Sequence, residues 1–314
     1  MLIMGKKKKI IISFVIVLFL AIITSLFYGA NYLVTYAFEN QTRTEAQLRG
    51  KGQEKIDQRW LSVQHPVIKW HKRAGGTGQN LTAFYYPASK QTKKTIIVSH
   101  GYKGSHYSMA SYIRMFHYDG YNVLAPDDRG SGVSQGKYVT FGYPDSHDYK
   151  SWVDQVIAKN GTGSQIGLFG VSMGGATVMM VSKTKLPQQV KSIVEDCGYD
   201  SVENELAYQL KQQFNLPKQP LIALSLFIAR FRVGYDFTKG NSVAALKKND
   251  LPLFLIHGAN DTFVPTKMVY HNYAATRGPK QLWITPHTKH ADSMTNYPRQ
   301  YQEKVNAFFS KYWH

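Results

Sequence analysis

The first strong signal along the chain is a stretch without charge. Four lysines, Lys6 to Lys9, precede IIISFVIVLFLAIITSLFY, Ile10 to Tyr28, where only isolated Ser and Thr interrupt the apolar residues. Nineteen helical residues extend about 29 Å, close to the hydrocarbon thickness of a bilayer. Apolar residues resume at Tyr32-Leu33-Val34, and Gly29-Ala30 is a poor cleavage site for a signal peptidase. The pattern predicts an uncleaved transmembrane anchor over residues 10–38, preceded by a basic tail, residues 1–9. Lysines before the span and none just after it place the tail in the cytoplasm and the bulk of the chain outside. Residues 39–61 are polar and charged and read as a stalk or an amphipathic lead-in rather than core.

From about residue 62 short apolar runs alternate with helical patterns. The expected strands are VIKWHKR (67–73), NLTAFYY (80–86), TIIVSHG (95–101), YNVLAPD (121–127), QIGLFGV (165–171), VKSIVED (190–196), LPLFLIHG (251–258) and KQLWITP (280–286). Most are apolar almost throughout, as strands covered on both faces must be. Helical segments lie between the later ones, which implies a mainly parallel sheet with helices on both faces. The rhythm breaks once. Residues 199–249 are too long for a simple crossover and read as an insertion.

Composition narrows the chemistry. With Cys197 as its only cysteine the chain forms no internal disulfide and offers no thiolate zinc cluster. The formal net charge is +18, spread well beyond the lysine run. Such a surface favours contact with anionic lipid or a wall polymer. No nucleic-acid motif accompanies it, so no nucleic-acid partner is expected.

The pattern G-x-S-x-G occurs twice, as GVSQG at 132–136 and GVSMG at 170–174. Ser134 has no apolar strand before it and no helix after it, so its glycines read as loop punctuation. Ser172 follows QIGLFGV and precedes GGATVMM: strand, sharp turn, helix. Such a turn holds a serine in a strained conformation at the strand's carboxyl end, with the next N–H aimed into the site. Gly170 and Gly174 are expected because side chains there would strike the adjoining strand or helix.

These residues, with SHGYKGS (99–105), PDDRGSGVSQG (126–136), GLFGVSMGGA (167–176), LFLIHGANDTFVP (253–265) and the late His290, resemble the α/β-hydrolase superfamily. The resemblance covers roughly residues 65–312 and is greatest to bacterial membrane-anchored cell-surface hydrolases of the serine-aminopeptidase-like and esterase group. It implies an α/β-hydrolase fold: a mostly parallel eight-stranded sheet, helices on both faces, and a helical lid at about 199–249. The hydrolase domain would run over residues 62–314. The resemblance also implies a catalytic order of Ser172, Asp261 and His290, with backbone N–H groups of Tyr102 and Met173 as the oxyanion hole. Rivals remain at two positions: Glu195 or Asp196 for the acid, and His287 for the base. His100 and the Asp127-Asp128-Arg129 turn read as structural. The pair His287 and His290 lacks the helix and third ligand of a zinc site, so neither metal nor other cofactor is expected.

Within the insertion three readings stand: Leu221, Leu224, Phe227, Ile228 and Phe231 roof an apolar acyl pocket, or they pack the lid onto the core, or part of the lid touches the membrane. The whole reads as a membrane-anchored extracytoplasmic serine hydrolase acting on small-molecule esters or acyl compounds through an acyl-enzyme. Peptidase, lipase and acyltransferase chemistry fit the same machinery. The competing class is a non-catalytic hydrolase-fold module that binds anionic envelope polymers.

Overall fold

A computed structural model of the protein describes residues 6–39, 46–63 and 67–313. Part of the basic N-terminal stretch (residues 1–5) and part of the polar segment after the apolar helix (residues 40–45) lie outside the described residues.

Eight strands form one sheet: β1 (Ile68–Arg73), β2 (Asn80–Tyr86), β3 (Lys94–Ser99), β4 (Asn122–Pro126), β5 (Gln165–Val171), β6 (Val190–Asp196), β7 (Leu253–Gly258) and β8 (Lys280–Thr285). Their order is β1-β2-β4-β3-β5-β6-β7-β8. Only β1–β2 and β2–β4 pair antiparallel; every later pair is parallel. The helices are α1 (Lys6–Phe38), α2 (Gly52–Val63), α3 (Ala110–Tyr118), α4 (Asp145–Asn160), α5 (Met173–Val181), α6 (Val202–Phe214), α7 (Leu221–Val233), α8 (Ser242–Leu246), α9 (Lys267–Ala275), α10 (Ser293–Asn296) and α11 (Pro298–Tyr312).

The twofold alternation of strand side chains sorts the core into two layers. Ile96 and Val98 of β3 pack with Ile113 and Phe116 of α3 and Phe308 and Phe309 of α11. Between them, Ile97 faces the other way, onto Trp152 and Val156 of α4 and Val178 of α5. Both faces are therefore apolar, and the central strands carry no polar alternation. A third cluster lies above the carboxyl edge, where α1, α6 and α7 meet Met173, Ala176 and Met180 of α5.

Two segments depart from expectation. Within residues 39–61, α2 docks on α3, so that part of the segment is not a free stalk. Asp57 is buried, pairs with Arg114 at 2.5 Å and accepts from Ser111 Oγ at 2.6 Å, while Leu61 enters the core. A contact face built on a carboxylate leaves little hydrophobic signature. Helix α1, the one candidate membrane span among the described residues, runs on without a break. Ile10 to Tyr28 are exposed apart from half-buried Leu26, whereas Ala30, Val34 and Phe38 are buried against the lid.

Candidate active site

Ser172 sits between β5 and α5 with φ 59° and ψ −120°. A non-glycine residue there is strained, and it persists because its surroundings leave no alternative. The Ser172 N–H donates to the Asp196 carbonyl at 2.8 Å. A Cβ on Gly170 would overlap the Gly174 carbonyl, and one on Gly174 would overlap the Ser99 carbonyl at the end of β3. Strand and helix thus cross at backbone contact, as the two glycines suggested.

Three distant side chains converge at this turn. His290 Nε2 lies 2.8 Å from Ser172 Oγ, and His290 Nδ1 lies 2.7 Å from Asp261 Oδ2. A tautomer with its proton on Nδ1 satisfies both contacts: it donates to the carboxylate and accepts from the hydroxyl. Asp261 also caps its own turn, for Oδ1 accepts from the N–H groups of Phe263 and Val264, both at 2.9 Å. That fixes the carboxylate plane and leaves Oδ2 for the histidine. Burial alone would raise the Asp261 pKa, but hydrogen bonds from His257 and His290 outweigh it and hold the acid down at about 2.

The acid and histidine loops are joined by backbone. Asn260 N–H donates to Thr288 O at 2.9 Å, and Ala259 N–H to Thr285 O at 2.9 Å. Ala291, next to His290, has φ 58°, so the histidine loop is also strained. His287 is exposed, and the imidazole that meets Ser172 and Asp261 is that of His290. The rival acids lie elsewhere in the hydrogen-bond network: Glu195 accepts from Gly198 N–H and Asp196 from Tyr301 Oη.

The loop after β3 lies over the serine, since a Cβ on Gly101 would sit 3.6 Å from Ser172 Cβ. His100 supports that loop. Its Nδ1 lies 2.8 Å from Gly101 O, and its Nε2 accepts from Asp128 N–H at 3.0 Å. Ser134 is buried in the loop after β4, where it accepts from Thr82 N–H and donates to Asp127 O. Arg129 pairs with Asp148 at 2.6 Å, which holds the same loop to α4.

A cavity of about 290 Å³ opens above Ser172 and Met173, lined mainly by apolar side chains. Helices α6 and α7 contribute to its lining, and of the residues expected to roof an acyl pocket none is among those that line it. Ile222 and Ser225 of α7 face the cavity, with Leu206, Leu210 and Phe214 of α6. Leu221 and Leu224 are half-buried beside it, Ile228 is buried in the lid core, and Phe227 and Phe231 point outward. Helix α7 is apolar on nearly every side, so its sequence period could not select the inward face. Two contributors gave no sequence signal. Leu33, Tyr36, Ala37 and Phe38 of α1 form one wall, and the buried carboxyl of Glu205 forms part of another.

Cys197, Asp261 and His290 bring donor atoms within 4.8 Å of one another. Burial pushes the Cys197 thiol pKa well up, which keeps it protonated, and the other two groups already bind each other. The trio is a poor metal site.

A family model described as alpha/beta hydrolase fold matches residues 94–232. YqkD of Bacillus subtilis, an uncharacterized protein, is 30% identical over 224 residues, covering 71% of this chain and 73% of that one. The chain belongs to the α/β-hydrolase family. Another relative of this hydrolase, "putative esterase/lipase 3" of Mycoplasma pneumoniae, is 24% identical over 242 residues, 67% of this chain and 85% of the relative. Among solved structures, the Pyrococcus furiosus esterase Pf2001 superposes with a TM-score of 0.65 at 24% identity, covering 81% of this hydrolase and 96% of the esterase.

Proposed function

We propose that this chain is a membrane-anchored serine hydrolase, with its catalytic unit outside the cytoplasm, that cleaves carboxylic esters through an acyl-enzyme. Residues 1–9 are the cytoplasmic tail, 10–38 the anchor, and 62–314 the hydrolase domain with its lid at 199–249. The observation that carries the reading is the unbroken relay from Asp261 through His290 to Ser172, ending at the floor of an apolar cavity.

In this mechanism Ser172 Oγ attacks the ester carbonyl while His290 Nε2 takes its proton. Asp261 holds the imidazole and stabilises its cationic form. The tetrahedral oxyanion accepts hydrogen bonds from the N–H groups of Met173, in the first turn of α5, and Tyr102. His290 then protonates the leaving alcohol, and the acyl group stays on Ser172. Water, deprotonated by the same imidazole, releases the acid and restores the serine. No metal or cofactor enters the cycle. The basic surface would hold the domain near anionic lipid or wall polymer.

A fluorophosphonate probe tests the reading on the full-length protein in detergent micelles. Wild type should be labelled and Ser172→Ala should not, and labelling should block ester turnover. Folded wild type that resists the probe and cleaves no ester would instead favour the non-catalytic binding module.

A further inference from the structure

Helix α1 changes surroundings part-way along while its hydrogen bonding continues. Up to Tyr28 its side chains are largely exposed; five residues later Leu33 lines the cavity above Ser172, and so do Tyr36, Ala37 and Phe38. At 1.5 Å per residue the cavity wall begins roughly 8 Å beyond the apolar span and ends roughly 15 Å beyond it. The polar layer of one leaflet is itself about 5–8 Å deep. No flexible segment separates the two parts.

The join is also rigid. Arg232 of α7 donates to Asn31 Oδ1 at 2.9 Å, Thr35 Oγ1 at 3.0 Å and Glu39 Oε1 at 2.7 Å. Tyr102, in the loop over the serine, donates its hydroxyl to Ala37 O at 2.7 Å. Beside the cavity, Tyr36 is 41% exposed and packs edge-on against Phe214 at 5.6 Å. On the outer side of α7, Phe227 and Phe231 pair at 4.9 Å and are 61% and 72% exposed. Aromatic side chains left in water beside an apolar helix are what a membrane interface collects.

We infer that the cavity takes its acyl chain from the bilayer, so the substrates are acyl esters of membrane-resident amphiphiles, and that the anchor helix is a wall of the acyl site as well as a tether. This rests on the hydrolase reading and on residues 10–28 spanning the membrane. An amphiphile at the leaflet surface would pass its chain along the α1 wall of the cavity and bring its ester to Ser172, without the chain crossing water.

The test uses the full chain in phosphatidylcholine–phosphatidylglycerol vesicles with a decanoyl diacylglycerol ester supplied in the same vesicles or in separate ones. Same-vesicle hydrolysis should be at least tenfold faster. Ala37→Trp, which fills the cavity from the helix side, should lower decanoyl ester turnover at least tenfold more than acetyl ester turnover, with fluorophosphonate labelling reporting an intact site. Phe227→Ser with Phe231→Ser, at exposed positions that do not threaten folding, should slow hydrolysis in vesicles more than in detergent. Equal rates for the two vesicle arrangements, or an unchanged decanoyl-to-acetyl ratio in Ala37→Trp, would overturn the inference while acetyl ester turnover left the hydrolase reading standing. Absence of Ser172-dependent turnover of any ester would defeat that reading instead.

Discussion

His257 Nε2 stands 3.3 Å from Asp261 Oδ2, the same oxygen that His290 meets from the other side. His257 is fully buried at the end of β7, and its Nε2 also lies 2.9 Å from the Val264 carbonyl. A proton on that nitrogen is shared between the acid and the turn the acid caps. His257 thus positions Asp261 without reaching the serine.

Replacing His257 by Phe should therefore weaken catalysis without abolishing it. A hydrogen bond to a charged group contributes about 1.5–3 kcal/mol, which corresponds to roughly ten- to hundredfold in rate if it is lost from the transition state. Stability supplies a second readout. The depressed Asp261 pKa, about 2 against an ordinary 3.8, stabilises the fold above pH 3.8, and that contribution is lost as the pH falls through 2. His257→Phe should unfold more readily than wild type near neutrality, with a difference that narrows below pH 4. Urea unfolding at pH 7 and pH 3 would show a constant gap if His257 only filled space.

Asp261→Asn probes the next link. The amide keeps the shape but can donate to His290 Nδ1, which favours the tautomer that cannot accept the serine proton. By analogy with other triads, kcat should fall about 10⁴-fold. Activity within tenfold of wild type would transfer the acid role to another carboxylate.

Much of this site could be read along the chain because its parts are local. Each strand predicted from apolar runs appears within two residues of its expected ends, since a buried parallel strand needs little more than a β-branched run and a turn. Gly170, Ser172 and Gly174 are tied to one sharp turn, so their spacing carries the geometry. What escaped depends on partners far along the chain. The pairing of α1 with α7 spans about two hundred residues, and nothing at Leu33 or Phe38 distinguishes a helix leaving a membrane from one walling a cavity. His257 lies at the end of the apolar strand LPLFLIHG, and nothing in that run marks it as a partner of Asp261. Nothing along the chain separates Glu205 from the acids that are ordinary in a helix's first turn.

Gly174→Ala offers a structural check on the turn. The new methyl would overlap the backbone carbonyl of Ser99, which cannot move without displacing β3. The variant should lose probe labelling and melt well below wild type. Gly175→Ala is milder, because its Cβ would come to 3.0 Å from Glu195 Oε2 and 3.1 Å from Asp196 O. Comparable melting of the two variants in a thermal scan would contradict this ranking.

The loop proposed to supply an oxyanion donor separates backbone from side-chain roles. Tyr102→Phe removes the hydroxyl that reaches Ala37 O but keeps the N–H, whereas Tyr102→Pro removes the N–H itself. Loss of one oxyanion donor costs about 2.7–4 kcal/mol, or 10²–10³ in kcat. Acetyl ester kcat should therefore fall by that factor in Tyr102→Pro and by less than tenfold in Tyr102→Phe. Equal losses would move the donor to another residue.

Glu205 carries the clearest pH signature outside the proposed triad. It is 3% exposed in the cavity wall; Gln209 donates to its Oε1 at 2.9 Å, and among the described residues its Oε2 has no hydrogen-bond partner. Burial first, and the nearby Asp261 and Asp200 charges after it, raise its pKa from 4.5 to about 8. In the fold it therefore stays protonated up to about pH 8, while in the unfolded chain it ionises above 4.5. The unfolded state binds fewer protons across that window, so this group lowers stability as the pH rises from 4.5 to 8. Glu205→Gln keeps the shape and removes the titration. Its melting temperature relative to wild type should rise between pH 5 and pH 8 by at least about 3 °C, given roughly 2–4 °C per kcal/mol for a domain of this size. A difference independent of pH over that range would mean that Glu205 ionises as readily in the fold as in the unfolded chain.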